Sequence, residues 1–280
     1  FYLRAALDEL VEDGNFAAAA TFAGKLMASH GGDFNALASV ARYECKAGRP
    51  ERGLAVAEDY ARVAESGSGD YLVRSARVAE LLDELSRLPN VRGTPVARRM
   101  ADAAVERYTA IVPNRPEAIV GAAGVLAADG RTADAFDRVE RLGRYIPNRL
   151  RASAGLAIVR GSAAVTDRQA EQVRKWLDDC LAEEPDSTPL LLNRAEFLAL
   201  RHDTAAAAAG FEAVLAREPT NVIALNNLGW LLAAAPATAE KALGLVARAT
   251  REGGLTGELL DTRARVQITL KQFDAAERDL

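Results

Sequence analysis

Residues 116–149 read PEAIVGAAGVLAADGRTADAFDRVERLGRYIPNR. Ile119, Ala122, Ala123 and Leu126 fall at i, i+3, i+4 and i+7, one apolar stripe along a helix. Pro116 fits the first turn of that helix, where a missing N–H costs nothing. Gly130 ends it, as a residue free to adopt positive φ does. Thr132 or Asp134 then starts a second helix, whose inner stripe is Ala135, Val139, Leu142 and Tyr145, and Pro147 stops it. The unit is helix, tight turn, helix, tight turn.

The same grammar extends outward in both directions. Pro113 and Pro147 lie 34 residues apart, as do Pro185 and Pro219, Gly14 and Gly48, and Leu191 and Leu225. A fixed period of that length marks stacked helical hairpins. On the C-terminal side, Leu191, Arg194, Ala195 and Leu198 form a first stripe, His202-Asp203-Thr204 the turn, and Ala207, Phe211 and Val214 the second stripe. Leu225, Leu228, Gly229 and Leu232 then precede a turn carrying Pro236, with Ala242 and Ala249 after it. On the N-terminal side, Leu37, Val40 and Ala41 precede Gly48-Arg49-Pro50, then Ala57 and Tyr60; Leu3, Ala6, Leu7 and Leu10 precede Gly14-Asn15-Phe16, then Ala19, Ala23 and Leu26. Small residues recur at one position of the first helix (Ala41, Ala123, Ala157, Ala195, Gly229, Ala264) and one of the second (Ala19, Ala135, Ala207, Ala276), where helices must approach closely. Nothing alternates with a period of two, so the chain is expected to be all-α with no sheet. Domain organisation reads as one array over 1–280 with repeats at 1–33, 34–68, 70–113, 116–149, 150–187, 188–221, 222–256 and an incomplete 257–280. The third is too long: a helix over 71–88, a loop at 89–94 and a helix over 95–111 fit it. The fifth carries four extra residues near 161–167. These two places are expected to bulge from the stack, and the role of the 89–95 and 161–167 loops stays open.

Composition excludes several functions. The 280 residues hold 35 Lys and Arg against 39 Asp and Glu, so no basic excess exists to neutralise phosphates, and nucleic acid is not expected as a partner. Apolar runs are broken well short of a membrane span, and no signal peptide is visible. Cys45 and Cys180 fall in different repeats and read as reduced structural thiols. The two histidines, His30 in a polar link beside Gly31-Gly32 and His202 in a turn, have no ligand-spaced partner. Gly-rich phosphate loops and GxSxG are absent, and Ser66-Gly67-Ser68-Gly69 reads as a flexible link. Asp178-Asp179 and Glu183-Glu184 read as a solvated face beside Arg174 and Lys175. No catalytic, cofactor or metal site is therefore expected. Phe1 is not Met and Leu280 falls inside a helical pattern, so the chain reads as part of a longer protein, with a cytoplasmic location expected.

The pattern resembles the tetratricopeptide repeat (TPR) family of bacterial type. Its carriers are Leu225-Leu228-Gly229, Ala at the start of the second helix, Phe211 four residues on, and Pro113, Pro147, Pro185 and Pro219 at unit ends; the fullest stretch is Leu225-Asn226-Asn227-Leu228-Gly229-Trp230. The resemblance implies a right-handed α-solenoid superhelix of antiparallel helix pairs, with first helices lining a concave groove. Carried over by position, the groove residues are Asn35, Ala38, Arg42, Cys45 and Lys46; Glu117, Val120 and Gly124; Arg151, Ala154 and Ile158; Leu192, Glu196 and Ala199; Ile223, Asn226, Trp230 and Ala233; Glu258, Asp261, Arg265 and Thr269. Ala38 and Arg42 stand where chaperone-binding members have Lys and Asn, so a chaperone-tail clamp is not expected. Arg42 and Lys46, one turn apart, offer a grip for an acidic group or a solvated basic face. Trp230 is either an anchor in the groove, with Asn226 bonding a peptide backbone, or packs on the next first helix near Leu260 and Ala264. Trp176, on a second helix, reads as core. The expected function is a scaffold or adaptor binding a peptide or helix in the groove; the alternatives are a regulatory or substrate-recruiting arm of a larger enzyme, or an end-to-end self-assembly module.

Overall fold

The structure, a computed structural model, describes residues 2–29, 33–62, 69–143 and 145–280. His30, the Gly31-Gly32 link and residues 63–68 of the Ser/Gly link lie outside the described residues, as do the side chains of Leu3, Ala6 and Leu26. Among the described residues there are sixteen helices and no strand. They divide into two compact units, Phe1–Val165 and Thr166–Leu280.

The first unit holds α1 (Tyr2–Glu12), α2 (Phe16–Ser29), α3 (Phe34–Lys46), α4 (Pro50–Ala61), α5 (Gly69–Ser86), α6 (Pro95–Ile111), α7 (Ala118–Ala128), α8 (Thr132–Gly143) and α9 (Asn148–Gly161). Each helix packs on its sequence neighbours, and the first helices of successive pairs touch one another: α3 on α5, α5 on α7, α7 on α9. The second unit holds α10 (Asp167–Glu183), α11 (Thr188–Leu200), α12 (Thr204–Arg217), α13 (Val222–Leu232), α14 (Pro236–Gly253), α15 (Gly257–Thr269) and α16 (Phe273–Asp279). Here α11, α13 and α15 again form a layer of first helices. The division falls inside the expected fifth repeat, in the segment Ser162–Thr166.

The expected stripes are the core. Ile119, Ala122, Ala123 and Leu126 are fully buried, and so, to within 1%, are Ala207, Phe211, Val214, Leu225 and Leu228. The small-residue positions lie where helices cross: Ala41, Ala123, Ala195, Ala264, Ala19, Ala135, Ala207 and Ala276 are all buried. Ala157 is half-buried. A Cβ added at Gly210 would meet the Ala195 Cβ at 2.9 Å; one at Gly229 would meet Val246 at 3.0 Å. At the α3–α4 crossing, a Cβ on Gly53 would stand 2.9 Å from the Ala41 carbonyl oxygen. Trp176 is half-buried on α10, and Tyr145 departs from the expected stripe: it is 71% exposed, while Ile146 is buried in its place.

Five of the turns inside the pairs follow one design. Gly14, Gly48, Gly130, His202 and Lys271 all have φ between 60° and 78°. In each, that residue donates to the carbonyl three back and the next residue donates to the carbonyl five back, as His202 does to Ala199 and Asp203 to Leu198. This satisfies the last carbonyls of the first helix and turns the chain. The next helix starts on a cap where one is available: Asp203 accepts from the Ala206 N–H at 3.2 Å, and Asn15 from Ala18. Pro116 lies in the turn before α7, which begins two residues later than the sequence suggests.

Neither irregular repeat simply bulges. In residues 87–94, Val91 is fully buried, Asn90 Nδ2 donates to the Cys45 carbonyl at 2.6 Å, and Thr94 caps α6 through the Ala97 N–H. The loop is thus bound to the end of α3. The extra length of the fifth repeat is shared between the five-residue segment Ser162–Thr166 and α10, which has 17 residues against 14 in α12. Ser162 is hydrogen-bonded to Thr132, and Thr166 with Gln169 forms a capping box that starts α10.

Two stability outcomes follow. Ala195→Leu is expected to lose about 1–3 kcal/mol by overpacking against Gly210, whereas Gly244→Ala, with open space around its Cβ inside α14, should gain about 0.5–1 kcal/mol. Urea unfolding of both variants reads this; equal effects would contradict the crossing-point account. His202→Gly should raise stability by about 0.5–1 kcal/mol, because His carries the left-handed cost that glycine escapes. A loss in the same measurement would mean the imidazole has a structural role.

Candidate partner-binding face

The exposed part of the first-helix layer is narrower than position alone suggests. Ala38 and Cys45 on α3, Ala154 and Ile158 on α9, and Ala233 at the end of α13 are buried to 2% exposure or less. A first helix meets its own partner and the neighbouring first helices, so only one strip of its surface remains outside. These five expected groove positions are core. Burial also pushes the Cys45 thiol up to about 11, which keeps it protonated and unreactive. Cys45 and Cys180 are both buried, and neither is in a disulfide.

In the first unit, charge on the expected strip is largely engaged. The Arg42 guanidinium bonds both carboxylate oxygens of Glu84 on α5, at 2.6 and 2.7 Å. Its hydrogen bonds to the carboxylate raise the Arg42 pKa. Lys46 Nζ lies 5.2 Å from the Phe16 ring centre. The Arg42–Lys46 pair is thus a brace between neighbouring helices, not an open basic grip. Asn35 is exposed, with its backbone N–H on the Asp33 cap. Glu117 is exposed beside Arg115 at 3.0 Å, which lowers its pKa together with a backbone hydrogen bond. Arg151 is half-buried and donates to Asn148.

The second unit has a different surface. On α13, Ile223 is 57% exposed and Trp230, two turns on, 42% exposed. On α15, Glu258, Asp261, Arg265 and Ile268 are exposed, Ile268 to 49%. Leu192, Glu196 and Ala199 on α11 are half-buried. The Arg265 guanidinium stacks 4.4 Å from the Trp230 ring centre. Trp230 therefore both shows a face to solvent and packs on the next first helix, through Arg265. Asn226 is half-buried, and its Oδ1 is enclosed without a donor. Beside Trp230 lies a cleft of about 440 Å³ walled by Ala234, Asp261, Ala264, Arg265, Ile268 and Leu280. Thr269 closes its floor by donating to the Ala233 carbonyl at 2.8 Å.

Sequence reading missed Ile268 and the Trp230–Arg265 stack. The signal was there: 230 and 265 differ by 35, the length of that repeat, so the two occupy the same position in successive units. It also misplaced Asp178, which bridges Arg174 on α10 (2.7 Å) and Arg194 on α11 (2.5 Å) and is no free solvated acid. Among the described residues, no group of three or more His, Cys, Asp and Glu converges as a metal site, and no helix is long and apolar enough to cross a membrane.

Paired helices, a left-handed turn that recurs in five of the pairs and, within each unit, a layer of first helices define an α-helical repeat protein. Comparison with known proteins narrows the class. No protein-family model matches the chain. A TPR repeat-containing protein of Pseudomonas aeruginosa is 26% identical over 156 residues, 56% of this chain and 26% of that protein, so the match spans about a quarter of the relative. A tetratricopeptide repeat protein of Parabacteroides merdae superposes with a TM-score of 0.47 at 13% identity, covering 99% of this chain and 89% of that one. A thermophilic TPR protein of Thermus thermophilus gives 0.50 at 23% identity, over 71% of this chain and 99% of that one. The fold is that of a tetratricopeptide-repeat protein.

The helix that carries Arg265 is braced from behind. Arg263 bonds both oxygens of Asp279 on α16 at 2.6 and 2.5 Å, and Asp279 is 7% exposed. Arg263 holds the Asp279 carboxyl below the usual carboxylate range. A depressed folded-state pKa stabilises fully above the unfolded value of about 3.9 and is lost as pH falls through the folded one. Asp279→Asn should therefore cost about 1–3 kcal/mol at neutral pH, and the gap to the parent should close in acid below about pH 3. A pH-independent gap in chemical unfolding would exclude the ion pair as its source.

Proposed function

We propose that the chain is a protein-interaction scaffold and that the α11–α13–α15 face receives a peptide or helix of the partner. The observation that carries this is Trp230: a large aromatic side chain, 42% exposed, stacked on Arg265 of a cleft of about 440 Å³, with Ile223 exposed two turns earlier on α13 and Ile268 in the cleft wall. An exposed Trp among aliphatic side chains is the composition of an interface anchor. Arg265 fixes the ring before binding, so little side-chain freedom is lost on association. Asn226 and the ends of Arg265 supply donors for partner carbonyls. The Arg42–Lys46 pair is not part of this reading, because Glu84 already occupies Arg42.

The test is Trp230→Ala on a partner purified with the chain as bait. Binding should weaken by at least about tenfold while the melting curve stays that of the parent. Unchanged affinity, or a collapsed melting curve, would return Trp230 to a purely structural role.

A further inference from the structure

Asp261 and Arg265 are one helical turn apart on α15, acid first. The same spacing closes into an ion pair at Asp70–Arg74, 2.7 Å, and at Asp83–Arg87, 2.8 Å, but not at Asp137–Arg141, where the arginine bonds the Asp137 backbone carbonyl instead. Arg74 even keeps its carboxylate while stacking 4.5 Å from the Tyr60 ring centre. Arg265 stacks on Trp230 without such a pair, and no cation lies within ion-pair distance of Asp261 among the described residues. Glu258, one turn before, likewise has no cationic partner there. The bare Asp261 carboxylate stands at the wall of the cleft, whose other lining includes Ile268, Ala264 and Ala234.

An apolar wall with an unpaired carboxylate on it matches one type of side chain: an aliphatic stem that ends in a cation. The surrounding charge agrees. Residues 166–280 hold 13 Lys and Arg against 18 Asp and Glu. We infer that the cleft takes a Lys or Arg side chain of a partner peptide, its cation on Asp261 and its stem along Ile268 and Ala264, next to an apolar residue that covers Trp230 and Ile223. This rests on the groove reading above and gives it a chemistry: the partner segment is basic and apolar, the reverse of an acidic tail.

Panning a random dodecapeptide phage library on the full chain tests it. Enriched sequences should carry Lys or Arg within one turn of an aliphatic or aromatic residue. A selected synthetic peptide, followed by fluorescence anisotropy, should bind about fivefold more weakly to Asp261→Asn, as loss of one exposed ion pair would give, with that loss shrinking at high salt. Panning on Asp261→Arg should turn enrichment toward Asp and Glu. Because Asp261 is exposed, melting curves of both variants should match the parent. Peptides that depend on Trp230 but are neutral or acidic, or that ignore Asp261→Asn, overturn the basic-partner inference and leave the groove reading standing. Enrichment of no sequence that depends on Trp230 overturns both.

Discussion

Close approach of helices at small residues is the constraint on which the rest of the molecule depends. Where Ala41 faces Gly53, or Ala195 faces Gly210, the backbones come near enough that one added methyl group would collide. Dispersion energy falls steeply with distance, so the contact layer is effective only at this separation. The same separation fixes where the next helix begins, and repetition propagates it. Leu, Val and Phe then fill the remaining space: Phe211, Leu225 and Leu228 are buried to 1% or less around the Ala and Gly positions. The stack tolerates variation in helix length, from 11 residues in α13 to 18 in α14, because length extends along the axis and leaves the crossing point alone.

The turns show the same economy at the level of the backbone. Five of them share one hydrogen-bond pattern and one left-handed residue, yet that residue is glycine in three and His202 or Lys271 in the other two. Conformation at this position is thus imposed by the packing of the two helices, and glycine only lowers its cost. For that reason His202, which invites a functional reading in a chain with two histidines, is explained by turn geometry.

Fold and face differed in how legible they were. Helix pairs, turns, crossing residues and the 95–111 helix could be read because each depends on local periodicity and on residues a few positions apart. The face could not be read as well, because exposure is decided by neighbours many residues away. Ala154 and Ile158 share the groove register of Leu192 or Ile223 but are buried, and nothing within α9 itself says so. Arg42 met the same fate electrostatically: its partner Glu84 is 42 residues away in sequence, on another first helix. Tyr145 erred in the opposite sense, since an aromatic at helical spacing fell two residues beyond the point where the helix ends and Ile146 took the core position.

These misreadings share a cause that also explains what remains open on the second unit. Stacked first helices place residues one repeat apart side by side, so a cation at one repeat tends to find a carboxylate or ring at the next. In the first unit this pairing joins Arg42 to Glu84. Between α13 and α15 it is incomplete: an aromatic ring, not a carboxylate, lies opposite Arg265. A ring satisfies a guanidinium without neutralising it; Arg74 stacks on Tyr60 and keeps Asp70, whereas Arg265 stacks on Trp230 and Asp261 has no cation among the described residues. One Trp in the repeat register therefore does two things. It supplies exposed apolar area, and it holds Arg265 in a stack beside acids, Asp261 and Glu258, that have no cation among the described residues. Apolar area alone would attract many segments; an unpaired acid beside it selects among them by the cost of leaving either charge unmatched.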